Sequence, residues 1–143
     1  MASSPHFADW ELACRGRNCC GRVNRCREEL VNALEDLRSA ISAARGVETP
    51  VIVTSAYRCA DHNRNIGGAK DSMHVQGLAA DIRVPGLTAA TLEAIARTVP
   101  TIHGIGRDDH ANYLHIDVRP SKASWCYDRT GRSIAYYAPG AAA

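Results

Sequence analysis

Lysine is nearly missing from this 143-residue chain, with two residues against fifteen arginines. Aromatic side chains make up only 6%, including a single Phe and two Trp. The formal net charge is just +2, which speaks against a dedicated nucleic-acid binder. No apolar run approaches the roughly 18 residues of a membrane span, so no membrane insertion is expected. The opening residues Met1 to Phe7 have neither the basic nor the apolar region of a secretory leader, and no Sec-type signal is expected. Several catalytic signatures are also missing: G-x-S-x-G, the Walker loop, H-E-x-x-H and G-x-G-x-x-G do not occur.

What is present suits one modest core. Apolar residues are 45% of the chain, although 23 of them are alanines that bury little area. Residues 1–143 therefore read as a single domain with an irregular, cysteine-containing segment over 1–21 and a tail over 127–143. Cysteine is abundant: Cys14, Cys19, Cys20, Cys26, Cys59 and Cys126. The first four are spaced C-x4-C-C-x5-C. That pattern lacks the C-x2-C of a zinc knuckle, and vicinal Cys19 and Cys20 do not readily supply two ligands to one tetrahedral ion. A mixture of structural disulfides and buried thiols is the expectation. The pairing is not readable from sequence.

Apolar positions Val23, Cys26, Leu30, Val31, Leu34, Leu37 and Ile41 recur every three or four residues, predicting an amphipathic helix over 22–44 that stops at Gly46. Strands are predicted over 51–57, 78–84, 102–105 and 113–119, with a Thr88-capped helix over 89–98. A polar stretch containing Gly67-Gly68 runs to Gly77 as a long ordered loop, and Gly67-Gly68 beside Lys70 reads as a turn rather than a phosphate cradle. The tail carrying Trp125, Tyr127, Tyr136 and Tyr137 suggests a final extended segment or a lid. The expected fold is α+β, a mainly antiparallel sheet of four or five strands with helices on one face.

Two strands carry the chemistry. Period-two alternation puts Ala80, Ile82 and Val84 on one face and Ala79, Asp81 and Arg83 on the other. It likewise separates Leu114, Ile116 and Val118 from Tyr113, His115, Asp117 and Arg119. An ordinary solvent face does not concentrate Asp81, His115 and Asp117. His74 lies seven residues before Asp81, and Gly77 permits the turn that returns it over the strand. Two imidazoles and a carboxylate with water in the fourth position would make a catalytic zinc site; the alternative reading of these residues alone is that His74 and His115 are surface or hydrogen-bonded histidines. Taken singly, His62, His103 and His110 read as structural or surface residues, and Cys59 and Cys126 as packing or disulfide partners.

The segment Ser72-Met-His74-Val-Gln-Gly77-Leu-Ala79-Ala-Asp81 resembles the S-x-H-x-x-G-x-A-x-D motif of the M15 zinc peptidases. These are D-Ala-D-Ala carboxypeptidases and peptidoglycan endopeptidases, including phage endolysins. Thr54-Ser-Ala-Tyr-Arg58-Cys is similar to the family's S-G-Y-R segment, and Asn63 to Ala69 to its N-x-x-x-G-G-A loop. Leu114-His115-Ile-Asp117-Val-Arg119, with Trp125 downstream, resembles the V-H-I-D-x-R…W ending of one subgroup. The likeness spans residues 6 to 126.

This resemblance implies one zinc ion per chain on His74, Asp81 and His115, with Arg58 facing the substrate carbonyl or terminal carboxylate and Ser72 and Tyr113 as substrate contacts. It implies hydrolysis of bacterial peptidoglycan stems or cross-links by metal-activated water, in a monomer. The chain departs from the family at Asn112, where several branches have a catalytic Glu, and at Tyr113, where others have His. Neither is an ordinary general base at neutral pH. Asp117 is the first candidate for that role, or for supporting a ligand histidine; Asp109 is the rival and His110 a weaker one. The competing expectation is a zinc-containing structural or wall-binding module of a phage particle that has lost turnover. Small size and the missing leader suit synthesis in the cytoplasm and release by a holin, or carriage in a phage particle. Which bond is cut, and whether the source is phage or bacterial, is not written in the sequence.

Overall fold

The structure is a computed structural model and describes residues 3–136. A short helix α1 (Asp9–Leu12) precedes the long helix α2 (Glu28–Arg45), strand β1 (Ile52–Ser55) and helix α3 (Ala60–Asn65). Then come β2 (Ala79–Arg83), α4 (Ala89–Ala96), β3 (Gly104–Asp108), β4 (Tyr113–Asp117), β5 (Ala123–Tyr127) and β6 (Ser133–Ala135). The strands form one sheet in the order β1-β2-β4-β3-β5-β6, antiparallel except for the β3–β5 pair. The architecture is α+β, as expected, with six strands rather than four or five. The additional pair comes from the tail, which extends the sheet beyond β3 instead of closing over it; Tyr137 and the rest of 137–143 lie outside the described residues.

Helix α2 buries Leu30, Val31, Leu34, Leu37 and Ile41 in the same core as Ile82, Leu114 and Ile116, the apolar faces of β2 and β4. It ends at Gly46 in the left-handed region, φ 70°. Its start falls at Glu28, not Arg22. The 22–27 stretch has apolar residues at helical spacing, but Arg22 takes φ 59° and the Asn24 side chain accepts from the Cys26 N–H, a local bond that competes with the helix. Helix α4 begins at Thr88, whose hydroxyl accepts from the Thr91 N–H as the sequence suggests. Helix α3 interrupts what reads as loop; its first turn is capped by the Cys59 sulfur, which accepts from His62 N–H.

The disulfide expectation is corrected. All six cysteines are thiols, and the Cys14–Cys19 and Cys19–Cys20 sulfurs stand 4.0 Å apart, about twice a disulfide bond length. Cys26 is buried singly, its sulfur directed at the Leu12 carbonyl, and burial pushes its thiol up to about 11. Among the described residues no helix is long and apolar enough to cross a membrane.

Candidate metal centre

Strand register assembles the site. Ser55 of β1 stands opposite Asp81, Asp81 opposite His115, His115 opposite Gly106, and Gly106 opposite Trp125. This row crosses five strands on the face turned away from α2. The neighbouring row pairs Ala79 with Asp117 and Asp117 with Gly104. The two glycines of β3 are spaces. A Cβ on Gly106 would come within 2.4 Å of the Trp125 indole nitrogen, and one on Gly104 within 2.1 Å of the Asp117 carboxylate. Their absence lets Trp125 lie over His115 with ring centres 5.0 Å apart, and lets Asp117 be fully buried under the sheet face.

His74 arrives from the turn before β2. Gly77 at φ 75° closes that turn, and its N–H donates to the His74 carbonyl. The Ser72 hydroxyl accepts from the His74 N–H, 3.2 Å, and the Arg58 N–H donates to the His74 carbonyl, also 3.2 Å. The imidazole is 3% exposed. Its Nδ1 lies 2.7 Å from the Ala56 carbonyl oxygen, which can only accept, so Nδ1 carries the proton. That leaves Nε2 with a free lone pair. Nε2 is buried, makes no hydrogen bond, and lies 3.3 Å from Asp81 Oδ1.

His115 is fixed from its other side. Its Nε2 donates to Asp117 Oδ2 at 2.7 Å, which leaves Nδ1, 3.2 Å from Asp81 Oδ1, as the nitrogen turned toward His74 and Asp81. Asp117 in turn accepts from the Arg119 guanidinium at 2.8 and 2.7 Å and from the Arg119 N–H at 3.1 Å. Burial pushes the Asp117 carboxyl up, but these bonds from His115 and Arg119 outweigh it and hold it below the usual carboxylate range. Burial likewise raises Asp81, and the facing His115 and His74 rings override it downward. Asp117 is thus bound between His115 and Arg119.

His74 Nε2, Asp81 Oδ1 and His115 Nδ1 converge on one point. The two separations from Asp81, 3.3 and 3.2 Å, match the edge of about 3.3 Å expected between ligands 2.0–2.1 Å from a tetrahedral zinc ion. An orphaned buried imidazole nitrogen facing a carboxylate and a second imidazole is what a divalent ion of this class needs, and the donor set fits it.

The trio lies in a cleft of about 570 Å³. Arg58 lines it, with Nη2 3.8 Å from Asp81 Oδ2, Nη1 donating to Asn63 Oδ1 at 2.9 Å and Nε near Ser55 Oγ at 3.4 Å. Gly68 packs against that arrangement, and the Asn63 amide donates to the Ala69 carbonyl, so the Gly67-Gly68 turn braces Arg58. Ser72 and Tyr113 also line the cleft, and Tyr113 faces Tyr127 with ring centres 5.7 Å apart.

Asp109 is not brought in; it pairs with Arg107 at 3.1 Å outside the cleft lining. His110 is exposed and is not among the lining residues either. Asn112, at φ 55°, turns its side chain away to accept from the Ala89 N–H at 2.8 Å, at the start of α4. Sequence reasoning passed over Asp71, a carboxylate of the cleft lining outside the trio, and over Asn63, Arg119 and Tyr127. The spacing Gly104-x-Gly106 was the signal for a close approach across the sheet.

Against known proteins, the model of the family described as Peptidase M15 matches residues 5–117. The peptidoglycan L,D-endopeptidase MepK of Escherichia coli K12 is 32% identical over 82 residues, covering 54% of this chain and 44% of that protein. MepK of Shigella flexneri matches to the same extent. The matched stretch spans less than half of the length of these relatives. With the family model extending from the N-terminal segment through β4, and so across all three converging side chains, the chain belongs to the M15 peptidases.

Proposed function

We propose that the protein is a zinc-dependent peptidase that cuts peptide stems or cross-links of bacterial peptidoglycan. The observation that carries this reading is the buried, hydrogen-bond-free Nε2 of His74 aimed at the same point as Asp81 Oδ1 and His115 Nδ1. The activity printed for MepK, peptidoglycan L,D-endopeptidase, supports the substrate class. His74, Asp81 and His115 would hold the ion, which when bound supplies a Lewis acid that polarises the scissile carbonyl and makes water nucleophilic near neutral pH.

The remaining steps belong to side chains. The Ala56 carbonyl and Asp117 fix the two imidazoles in the tautomers that present lone pairs to one point. Arg119 keeps Asp117 ionised for that purpose. Arg58, anchored on Asn63, offers its fork to the carbonyl oxygen as charge develops there, or to a terminal carboxylate. Tyr113, Tyr127 and Trp125 form a wall that carries the peptide and restricts water. Asp71, a further carboxylate of the cleft lining, is the acid group left free to accept a proton, since Asp81 is committed to the trio and Asp117 to Arg119 and His115.

Loss of turbidity of purified cell walls, abolished by a chelator and restored by zinc, tests the activity. Mass spectrometry of the released muropeptides identifies the bond. Asp71→Asn is expected to lower the rate while metal content is unchanged. A second reading, a non-catalytic wall-binding module, is favoured by Asn112, which replaces the Glu of related branches and spends its side chain on α4. Zinc-loaded protein that sediments with walls but releases no muropeptide would establish the second reading and exclude the first.

A further inference from the structure

Cys14, Cys19, Cys20 and Cys59 bring their sulfurs within 4.8 Å of one another, with Cys59 next to Arg58 in the chain. Two separations are 4.0 Å. Four sulfurs about 2.3 Å from a tetrahedral zinc ion stand roughly 3.8 Å apart. We propose that these four cysteines bind a second divalent ion of the zinc class, a closed structural centre that ties segment 13–27 to the start of α3.

Four independent features support a built site. The first is space: a Cβ on Gly16 would come within 2.6 Å of Cys19 Sγ and 2.8 Å of the His62 ring, so only glycine lets the chain pass this close to the sulfurs. The second is hydrogen bonding to sulfur. The Cys59 N–H donates to Cys14 Sγ at 3.5 Å and the His62 N–H to Cys59 Sγ at 3.4 Å, so both sulfurs already act as acceptors.

The third is charge. Four thiolates on a divalent ion leave two negative charges, and segment 13–27 carries exposed Arg15, Arg17, Arg22, Arg25 and Arg27 with no acidic residue. The fourth is order without regular structure. Residues 13–27 form neither helix nor strand, and Asn18 and Arg22 hold positive φ, yet Cys14 is 1% exposed. A loop of this length that keeps its shape without helix or strand is suited to a metal crosslink, and among these cysteines no disulfide supplies another. The vicinal pair, which the sequence alone argues against as joint ligands, lies between Asn18 and Gly21, both at positive φ, and both sulfurs join the cluster.

With four protein ligands no position is left for substrate, so the ion's role is to position. Cys59 follows Arg58 directly and caps α3, which carries Asn63, the anchor of the Arg58 guanidinium. The centre therefore fixes the end of β1 from which Arg58 enters the cleft.

The experiment uses the full chain purified with zinc and without chelator. Elemental analysis is expected to give two zinc ions per chain, one in the His74→Ala, His115→Ala double variant, and one in the Cys19→Ser, Cys20→Ser double variant. Cobalt loaded into the double-histidine variant should show the intense thiolate-to-metal charge-transfer band of a tetrathiolate centre. Should the cysteine variant fail to fold, a mercurial titration of the unaltered chain decides the matter, because capping the thiols must release one zinc to a metal indicator. A single zinc per chain that disappears with His74 and His115, or a disulfide within the four cysteines under the same conditions, overturns the proposal.

Discussion

The two clusters that meet around residues 58 and 59 are built by different means. His74, Asp81 and His115 hang on paired strands and a closed turn, and each is braced by a further partner: Ala56 for His74, Asp117 and then Arg119 for His115. Cys14, Cys19 and Cys20 hang on irregular chain, held by one backbone bond from Cys14 to Val23 and by contact with Cys59. A frame of strands sets ligand positions before any ion binds, which suits a site whose open position must meet substrate. A loop that converges on four sulfurs gains its order from the ion and couples binding to folding. The strand-built cluster should therefore survive loss of its metal, and the loop-built one should not.

The largest effect is expected where the strand frame loses a ligand. His115→Ala removes one of the trio but leaves the β2–β4 pairing, so wall hydrolysis should fall to background while far-ultraviolet circular dichroism stays native. Next is Arg58→Lys, which keeps the charge but loses the fork held by Asn63; kcat should drop about 10²–10³-fold. Metal content and Tm should be unchanged, because Arg58 contacts the trio only at 3.8 Å. Near-normal turnover in Arg58→Lys would remove Arg58 from the reaction. Asp117→Asn comes third. It leaves His115 without its charged acceptor and Arg119 without its buried partner, and zinc affinity should weaken about 10–100-fold in a competition titration. Unchanged affinity would mean that the imidazole is oriented by the sheet alone.

The sequence made the first cluster readable because strand geometry is local: alternate residues share a face, so Asp81, His115 and Asp117 declare themselves by parity, and the motif around His74 supplies the third ligand. It did not reveal which side of His115 would hold Asp117, since that depends on register with Gly104 across β3. Nor could Asn112 be recognised as a cap for α4, a contact between residues 23 positions apart. The membership of the cysteine cluster was hidden for the same reason. Spacing groups Cys26 with Cys14, Cys19 and Cys20, whereas the fold turns Cys26 into the core and brings Cys59 in its place, through the Tyr57 N–H bond to the Leu12 carbonyl. The early start predicted for α2 shares this origin, because Val23 and Cys26 stand at helical spacing yet reach the core from irregular chain.

The smallest effect probes how the N-terminal region is held apart from any ion. Glu35 of α2 accepts from the Ser4 hydroxyl at 2.5 Å and the His6 N–H at 3.0 Å, and contacts His6 Nδ1 at 2.7 Å, beside the fully buried Phe7. Burial raises the Glu35 carboxyl, but the bonds from Ser4 and His6 prevail and lower it. A depressed carboxylate contributes stability that is present above the unfolded-state value of about 4.3 and is lost as pH falls through the folded one. Glu35→Gln keeps the size and one acceptor and removes the charge. At pH 7 it should cost about 1 kcal/mol or less, because the pair is partly solvated. The Tm difference from the parent should then shrink as pH is lowered below about 4, where the parent's carboxylate protonates as well. A gap that stays constant on acidification would mean that the Ser4–Phe7 segment is held by Phe7 burial rather than by this carboxylate.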